Sequence, residues 1–202
     1  SYLVTGTWGK KALKEAKRFG ACDSASTENA DGTFTRILKP GEFKIDPAST
    51  YVHMTSNNTL FGTQWKYWPE TDAVPLVCDM SSDIFSRRFP AEKFSLIYAG
   101  AQKNLGPSGL TIVAVKEDFF ARCQEQAKLP TMLSYRTHEE ENSLYNTPPC
   151  FSIYMLNLTL QWLDRNGGLE AMEKVNEEKG RIIYVAIDAS GGYYRGPVEK
   201  DS

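Results

Sequence analysis

Ser95-Leu-Ile-Tyr-Ala-Gly-Ala-Gln-Lys-Asn-Leu-Gly-Pro-Ser-Gly-Leu110 decides how the rest of this 202-residue chain is read. The apolar run Leu96 to Ala99 stops at Gly100, a lysine follows three residues later, and a Gly-Pro-Ser-Gly turn leads into a second apolar run, Leu110 to Val115. Short apolar runs bounded by glycine and proline read as buried strands. Lys103 is therefore expected on the turn between two buried strands. A lysine held against a low-dielectric interior loses part of its preference for the ammonium form, and a Schiff-base lysine needs a free amine to attack a carbonyl. The same pattern also fits a solvated turn lysine that merely caps a strand.

Working upstream, Val74-Pro-Leu-Val-Cys-Asp-Met-Ser-Ser82 is another short apolar run, and it ends on a carboxylate, Asp79, where a buried strand reaches its C-terminal edge. Open α/β sheets bind ligands at that edge. A pyridoxal phosphate site needs a lysine for the aldehyde and an acid that keeps the pyridine nitrogen protonated. Lys103 and Asp79, on neighbouring strand ends, could supply both. Asp79 also fits a turn or helix-cap aspartate ahead of Ser81 and Ser82.

The stretch Phe94 to Gly109, together with Cys78-Asp-Met-Ser-Ser-Asp83 and Ser143-Leu-Tyr-Asn-Thr-Pro-Pro149, resembles the phosphoserine aminotransferase family of class V, fold-type I pyridoxal-phosphate enzymes. The likeness runs from about Leu3 to the last residues, but over the middle of such an enzyme only. It implies an α/β fold with a mostly parallel central sheet flanked by helices, here incomplete: a partial cofactor-binding large domain over residues 1–190, and over 191–202 the start of a junction to a small domain. By the same resemblance Lys103 carries the pyridoxal 5'-phosphate, Asp79 faces its ring nitrogen, Trp8 stacks on its ring, and Thr59 and Gln102 contact its oxygens. Asn146 and Thr147 would reach across a homodimer to the cofactor phosphate of the other subunit. The implied reaction moves an amino group from L-glutamate to 3-phosphohydroxypyruvate, giving O-phospho-L-serine and 2-oxoglutarate. A different class V enzyme would share Asp79 and Lys103 without the Asn146-Thr147-Pro-Pro stretch, and a truncated chain could act as a folded module without catalysis. Ser86-Arg-Arg-Phe-Pro90 departs from the family pattern, in a loop away from the cofactor residues.

Composition narrows the remaining classes. Lys and Arg total 23 against 25 Asp and Glu, a formal net charge of −2, which leaves no electrostatic footprint for nucleic acid. No apolar run approaches the roughly 18 residues of a membrane span, and the opening Ser1-Tyr-Leu-Val-Thr-Gly6 lacks the layout of a signal peptide. Cys22, Cys78, Cys123 and Cys150 are widely spaced and read as reduced packing residues of a cytoplasmic protein. With only His53 and His138, a histidine metal centre is not expected.

Along the chain, Gly9 to Phe19 repeats Ala12, Leu13, Ala16 and Phe19 at helical spacing, with Gly20 as a stop. Trp8 stands just ahead, as core packing or over a ligand at the helix start. Cys22 to Pro47 reads as loop, apart from a short strand over Thr33 to Leu38. Tyr51 to Met54 is a strand breaking at Thr55-Ser-Asn-Asn-Thr59, whose hydroxyls and amides could donate to phosphate or phenolic oxygens; Asn57 and Asn58 stay open beside Thr59. Strands are expected over Asp72–Asp79 and Phe94–Ala99, and a helix over Glu117–Ala127. Leu129 to Ser143 reads as an exposed connection. Ile153, Leu156, Leu160 and Leu163, then Met172, Val175, Ile182, Val185 and Ala186, predict a helical hairpin, with Glu173, Glu177 and Arg181 on its wet face.

Overall fold

The computed structural model describes residues 1–122 and 129–202. Strands β1 (Tyr2–Val4), β2 (Ser24–Ser26), β3 (Val52–Thr55), β6 (Leu76–Asp79), β7 (Leu96–Gly100) and β8 (Thr111–Val115) form one sheet in the order β2-β1-β3-β6-β7-β8. A small antiparallel hairpin, β4 (Asn57–Asn58) with β5 (Thr63–Gln64), projects beyond the end of β3. Every pairing in the large sheet is parallel except β7 with β8. That exception follows from chain length, because residues 101–110 join β7 to β8 without a crossover element, and a parallel pair needs a dozen or more residues to cross back.

Alternation along the strands sorts side chains to two faces. Leu3, Val52, Met54, Leu76, Cys78, Ile97 and Ala99 enter the larger core, with Trp65, Phe94 and Leu105 packed among them. Tyr2 and Val4 face the other way, where helix α1 (Thr7–Ala16) lays Ala12, Leu13 and Ala16 against them. Val52 and Met54 have no exposure at all, and truncating a methionine so placed costs about 2–5 kcal/mol. Helices α4 (Cys150–Arg165) and α5 (Gly168–Ala189) make the expected hairpin, turning at Gly167 with φ 90°. Leu156 packs on the larger core, and Asn176 Nδ2 donates to the Ser86 carbonyl at 2.8 Å.

Several expectations change. Thr33–Leu38 forms no strand: Phe34 makes a lone antiparallel bridge to Glu28, and Phe34, Ile37 and Leu38 fill the two cores from an irregular segment whose backbone groups bond to side chains and to the C-terminal residues. The strand expected over Asp72–Asp79 begins only at Leu76, because Asp72 turns with φ 50°. Strand β8 is an edge and largely exposed, where a buried strand was expected. Phe19 lies beyond the end of α1 and is exposed. The connection over 129–143 contains a 3-10 turn at Thr131–Leu133 and helix α3 (Tyr135–Glu140). Helix α2 covers Glu117–Ala121, and the rest of that expected helix, residues 123–127 with Cys123, lies outside the described residues. Cys78 is buried as expected, but Cys150 is exposed at the start of α4. Val175, Ile182 and Val185 are about half exposed, so the α5 stripe is not buried within this chain. On its wet face Arg181 pairs with Glu178 and Glu173 with Arg88.

Candidate active site at the C-terminal edge of the sheet

Four parallel strands end together, and each hands the chain to a segment carrying a candidate residue. After β1 come Thr5, Gly6 and the start of α1 with Trp8; after β3 the Thr55–Thr59 segment; after β6 Asp79 to Asp83; after β7 Gln102 and Lys103. Sheets of this kind bind ligands along that edge, because loops diverge there and leave a crevice.

Lys103 stands on a tied turn. Ala101 N–H donates to Leu110 O, the N–H groups of Leu105 and Gly106 both return to Ala101 O, and Asn104 Nδ2 reaches Ile84 O at 2.6 Å. Leu105 anchors the turn in the core, and Ser152 of α4 donates to Ser108 O at 3.1 Å. Lys103 Nζ itself donates to Thr59 Oγ1 at 3.0 Å and stands 5.5 Å from the centroid of the Trp8 ring. The amine is nonetheless exposed, so the low-dielectric shelter expected for it is not supplied by this chain, whose β8 is an open edge. Trp8 is 39% exposed, with Lys11 Nζ 4.7 Å from its centroid. It is not a core residue.

The structure also chooses within the Thr55–Thr59 cluster. Ser56 and Asn58 are buried and already committed: Ser56 Oγ bonds to Asp83, and Asn58 Nδ2 donates to Thr5 and Thr63, each at 3.0 Å. Asn57 Nδ2 donates to Ser82 Oγ at 3.0 Å, and Ser82 Oγ donates back to Asn57 O at 2.9 Å. Thr59, at the exposed tip of the β4–β5 hairpin, is the member that faces the lysine.

Asp79 ends β6, half-buried, with Oδ1 accepting from the Ser81 N–H at 2.9 Å. Among the described residues its second oxygen takes no hydrogen bond, so it is available to a cationic partner. Ser81 Oγ accepts from Gly100 N–H at 3.1 Å, which ties the Asp79 turn to the strand leading to Lys103. Gln102 is exposed and folds against Gly100, where an added Cβ would lie 2.6 Å from its Oε1. Asn146 and Thr147 are exposed, and among the described residues their side chains make one hydrogen bond, Asn146 Nδ2 to Thr147 O at 3.4 Å. They are not brought to Lys103 within this chain. A groove lined by Pro75, Lys93, Lys116 and Phe119 lies at the opposite, N-terminal edge and contains none of these residues.

Sequence reasoning passed over two groups beneath the crevice. Asp83, 6% exposed, holds Ser56, Gln64 at 3.4 Å and Arg87 at 3.6 Å, while Arg87 donates to Trp65 O at 2.8 Å and lies over the Trp68 ring. Burial keeps the Asp83 carboxyl above the usual range despite these donors. His53 is buried between the Tyr2 and Tyr98 rings, with Nε2 2.9 Å from Tyr98 Oη, and burial pushes its imidazole down to about 4. A lone His inside a strand and an Asp just past one carry no local pattern that marks them. Only their neighbours from other strands do.

The aminotransferase class-V family model matches residues 4–202. The chain belongs to the class-V aminotransferase family. Among members of that family, it is 52% identical over 201 residues to the phosphoserine aminotransferase of Herpetosiphon aurantiacus, covering 100% of this chain and 55% of that protein. A solved structure recording radiation damage of the Schiff base in phosphoserine aminotransferase superposes with a TM-score of 0.93 at 51% identity, over 98% of this chain and 54% of the other. The PLP-bound phosphoserine aminotransferase of Trichomonas vaginalis gives 0.89 at 33% identity, over 99% and 55%. This class-V chain thus spans about half the length of the relatives it matches.

The residues on the sheet edge fit pyridoxal phosphate. A primary amine can condense with an aromatic aldehyde, a carboxylate with one oxygen left over can hold a proton on a basic ring nitrogen, and an exposed indole beside the amine offers a face for the ring.

Proposed function

We propose that this chain carries the cofactor-holding part of a pyridoxal-phosphate-dependent phosphoserine aminotransferase, which moves the amino group of L-glutamate to 3-phosphohydroxypyruvate and yields O-phospho-L-serine and 2-oxoglutarate. What supports it most is the Lys103 amine, held 3.0 Å from Thr59 Oγ1 beside the Trp8 ring, on the same strand edge as Asp79. When bound, the cofactor supplies an electron sink for charge left on the substrate Cα. Lys103 Nζ would take the proton from that Cα and deliver it, across the linking nitrogen, to the carbon that carried the cofactor's aldehyde, as base and then as acid. The Asp79 oxygen that accepts no hydrogen bond among the described residues would hold a proton on the ring nitrogen, the Trp8 indole would cover one ring face, and Thr59 would donate to the phenolic oxygen. Gln102 lies where it can donate to phosphate.

We extend the proposal to a cytoplasmic homodimer in which Asn146 and Thr147 reach the cofactor phosphate of the other subunit. Their exposure, on a segment stiffened by Pro148 and Pro149, supports that reach.

Titration of the protein with pyridoxal phosphate tests the reading. We expect the visible band of an aldehyde condensed with an amine in the wild type and its loss in Lys103→Ala. A donor and acceptor screen then separates this substrate pair from those of other class V enzymes. No band in the wild type would overturn the proposal.

A further inference from the structure

Tyr2 on β1, His53 on β3 and Tyr98 on β7 form a row of rings across the sheet just behind Asp79. Register places Tyr2 beside His53, and Tyr98 beside Asp79. The His53 and Tyr2 rings stack with centroids 4.9 Å apart and planes at 26°, and Tyr2 Oη bonds to Tyr51 Oη at 2.7 Å. Strand β6 lies between β3 and β7, so the 2.9 Å contact of His53 Nε2 with Tyr98 Oη crosses over β6, on the N-terminal side of Asp79. Neighbouring strands stand about 4.8 Å apart, so only two long side chains leaning together close that span.

We infer that the His53–Tyr98 pair is a positioning device for Asp79: it engages the phenol and the imidazole with each other, so that neither takes the carboxylate oxygen meant for the cofactor's ring nitrogen. Rupture of the pair would release a competitor on either side. Freed Tyr98 Oη could turn to donate to Asp79, its register neighbour on the same face. Freed His53, whose Nδ1 is already buried without a partner among the described residues, could hydrate, protonate and pair with Asp79. The other titratable groups around the row are Ser1 N, Cys22, Tyr51, Cys78 and Tyr135, together with the Asp79 charge itself. Burial raises both Tyr2 and Tyr98 and depresses His53, so the row itself stays uncharged.

The inference rests on the proposed cofactor. Its test compares wild type, Tyr98→Phe, His53→Leu and His53→Gln, whose amide can occupy the place of Nε2. Three quantities are measured: the dissociation constant for pyridoxal phosphate, the pH midpoint of the visible band, and the thermal midpoint of the unliganded protein. A hydrogen bond to a charged group is worth about tenfold in binding. Tyr98→Phe and His53→Leu are therefore expected to bind about tenfold more weakly. Their band midpoint should also move upward, since a ring nitrogen less firmly protonated draws less charge from the Lys103 nitrogen. His53→Gln should restore both. A merely structural pair would lower the thermal midpoint and leave the band midpoint in place, and that outcome overturns the inference. So does a Tyr98→Phe protein that matches wild type, or a His53→Gln protein no better than His53→Leu. A wild type without the band defeats the cofactor reading first and the inference with it, whereas a wild-type band with unshifted variants defeats the inference alone.

Discussion

Lys103 Nζ donates to Thr59 Oγ1 across 3.0 Å, joining the turn after β7 to the tip of the hairpin after β3. The two residues are 44 positions apart in the chain and share no local pattern. Their meeting defines the crevice. Removing the hydroxyl in Thr59→Val should weaken pyridoxal phosphate binding several-fold to about tenfold, while Thr59→Ser retains it. Quenching of Trp8 fluorescence on titration reads this directly, with Trp8→Phe as the control for the probe.

Gly6 and Gly9 lie in one turn of chain yet should behave oppositely. A Cβ at Gly6 would stand 2.2 Å from Asn58 Oδ1 and 2.5 Å from its Cγ, so the fully buried Asn58 would have to abandon Thr5 or Thr63. At Gly9 the nearest atom is Thr55 Oγ1 at an ordinary 3.6 Å. Gly6→Ala should lose about 1–3 kcal/mol in a denaturant titration, and Gly9→Ala should lose nothing and gain a little from helix propensity.

Arg87 is the cation beside a buried carboxylate. Arg87→Ala leaves Asp83 ionised without it and strips the Trp68 face, and should lower stability by about 3 kcal/mol near neutral pH. Because the folded Asp83 already holds its proton more tightly than an unfolded aspartate, the loss should shrink as the pH is lowered and Asp83 is neutralised. Equal losses at neutral and acid pH would contradict this account.

His53 makes the protein acid-sensitive. Its folded value is depressed from 6.5 to about 4, so the unfolded chain binds the extra proton between those limits. Stability from this group is fully present above 6.5 and falls away as the pH drops to 4, by about 3 kcal/mol in all. The difference between wild-type and His53→Gln unfolding curves across that interval isolates the effect from the carboxylates, which titrate in both.

Catalysis by these 202 residues alone should be slow. Lys103 is exposed, and among the described residues Asn146 and Thr147 hydrogen-bond to none of the other candidate residues. A misplacement of about 1 Å can lower a rate roughly 100-fold. Transamination assayed beside a full-length relative should therefore show a deficit of at least that order.

The strand ends at Asp79 and Gly100 were legible because buried parallel strands are short, nearly continuous apolar runs, and the residue that breaks such a run marks the sheet's edge. The α4–α5 hairpin was legible for a similar reason, a 3.6-residue period interrupted by Gly167-Gly168. Thr33–Leu38 misled because Phe34, Ile37 and Leu38 are apolar without being strand-paired. Leu110–Val115 misled because an edge strand, exposed here, has the same β-branched composition as a central one.

On its own, the order of residues determined which groups stand at strand ends and what chemistry they can perform: an amine at 103, a carboxylate at 79, an indole at 8. Tertiary structure alone decided that Thr59 rather than Asn58 faces the amine, that Asp83 lies buried beside Arg87, and that His53 and Tyr98 close over β6 behind Asp79. The reason is range. Periodicity and turn chemistry act over a few residues of chain, whereas these contacts depend on sheet order and register, which bring together segments tens of residues apart.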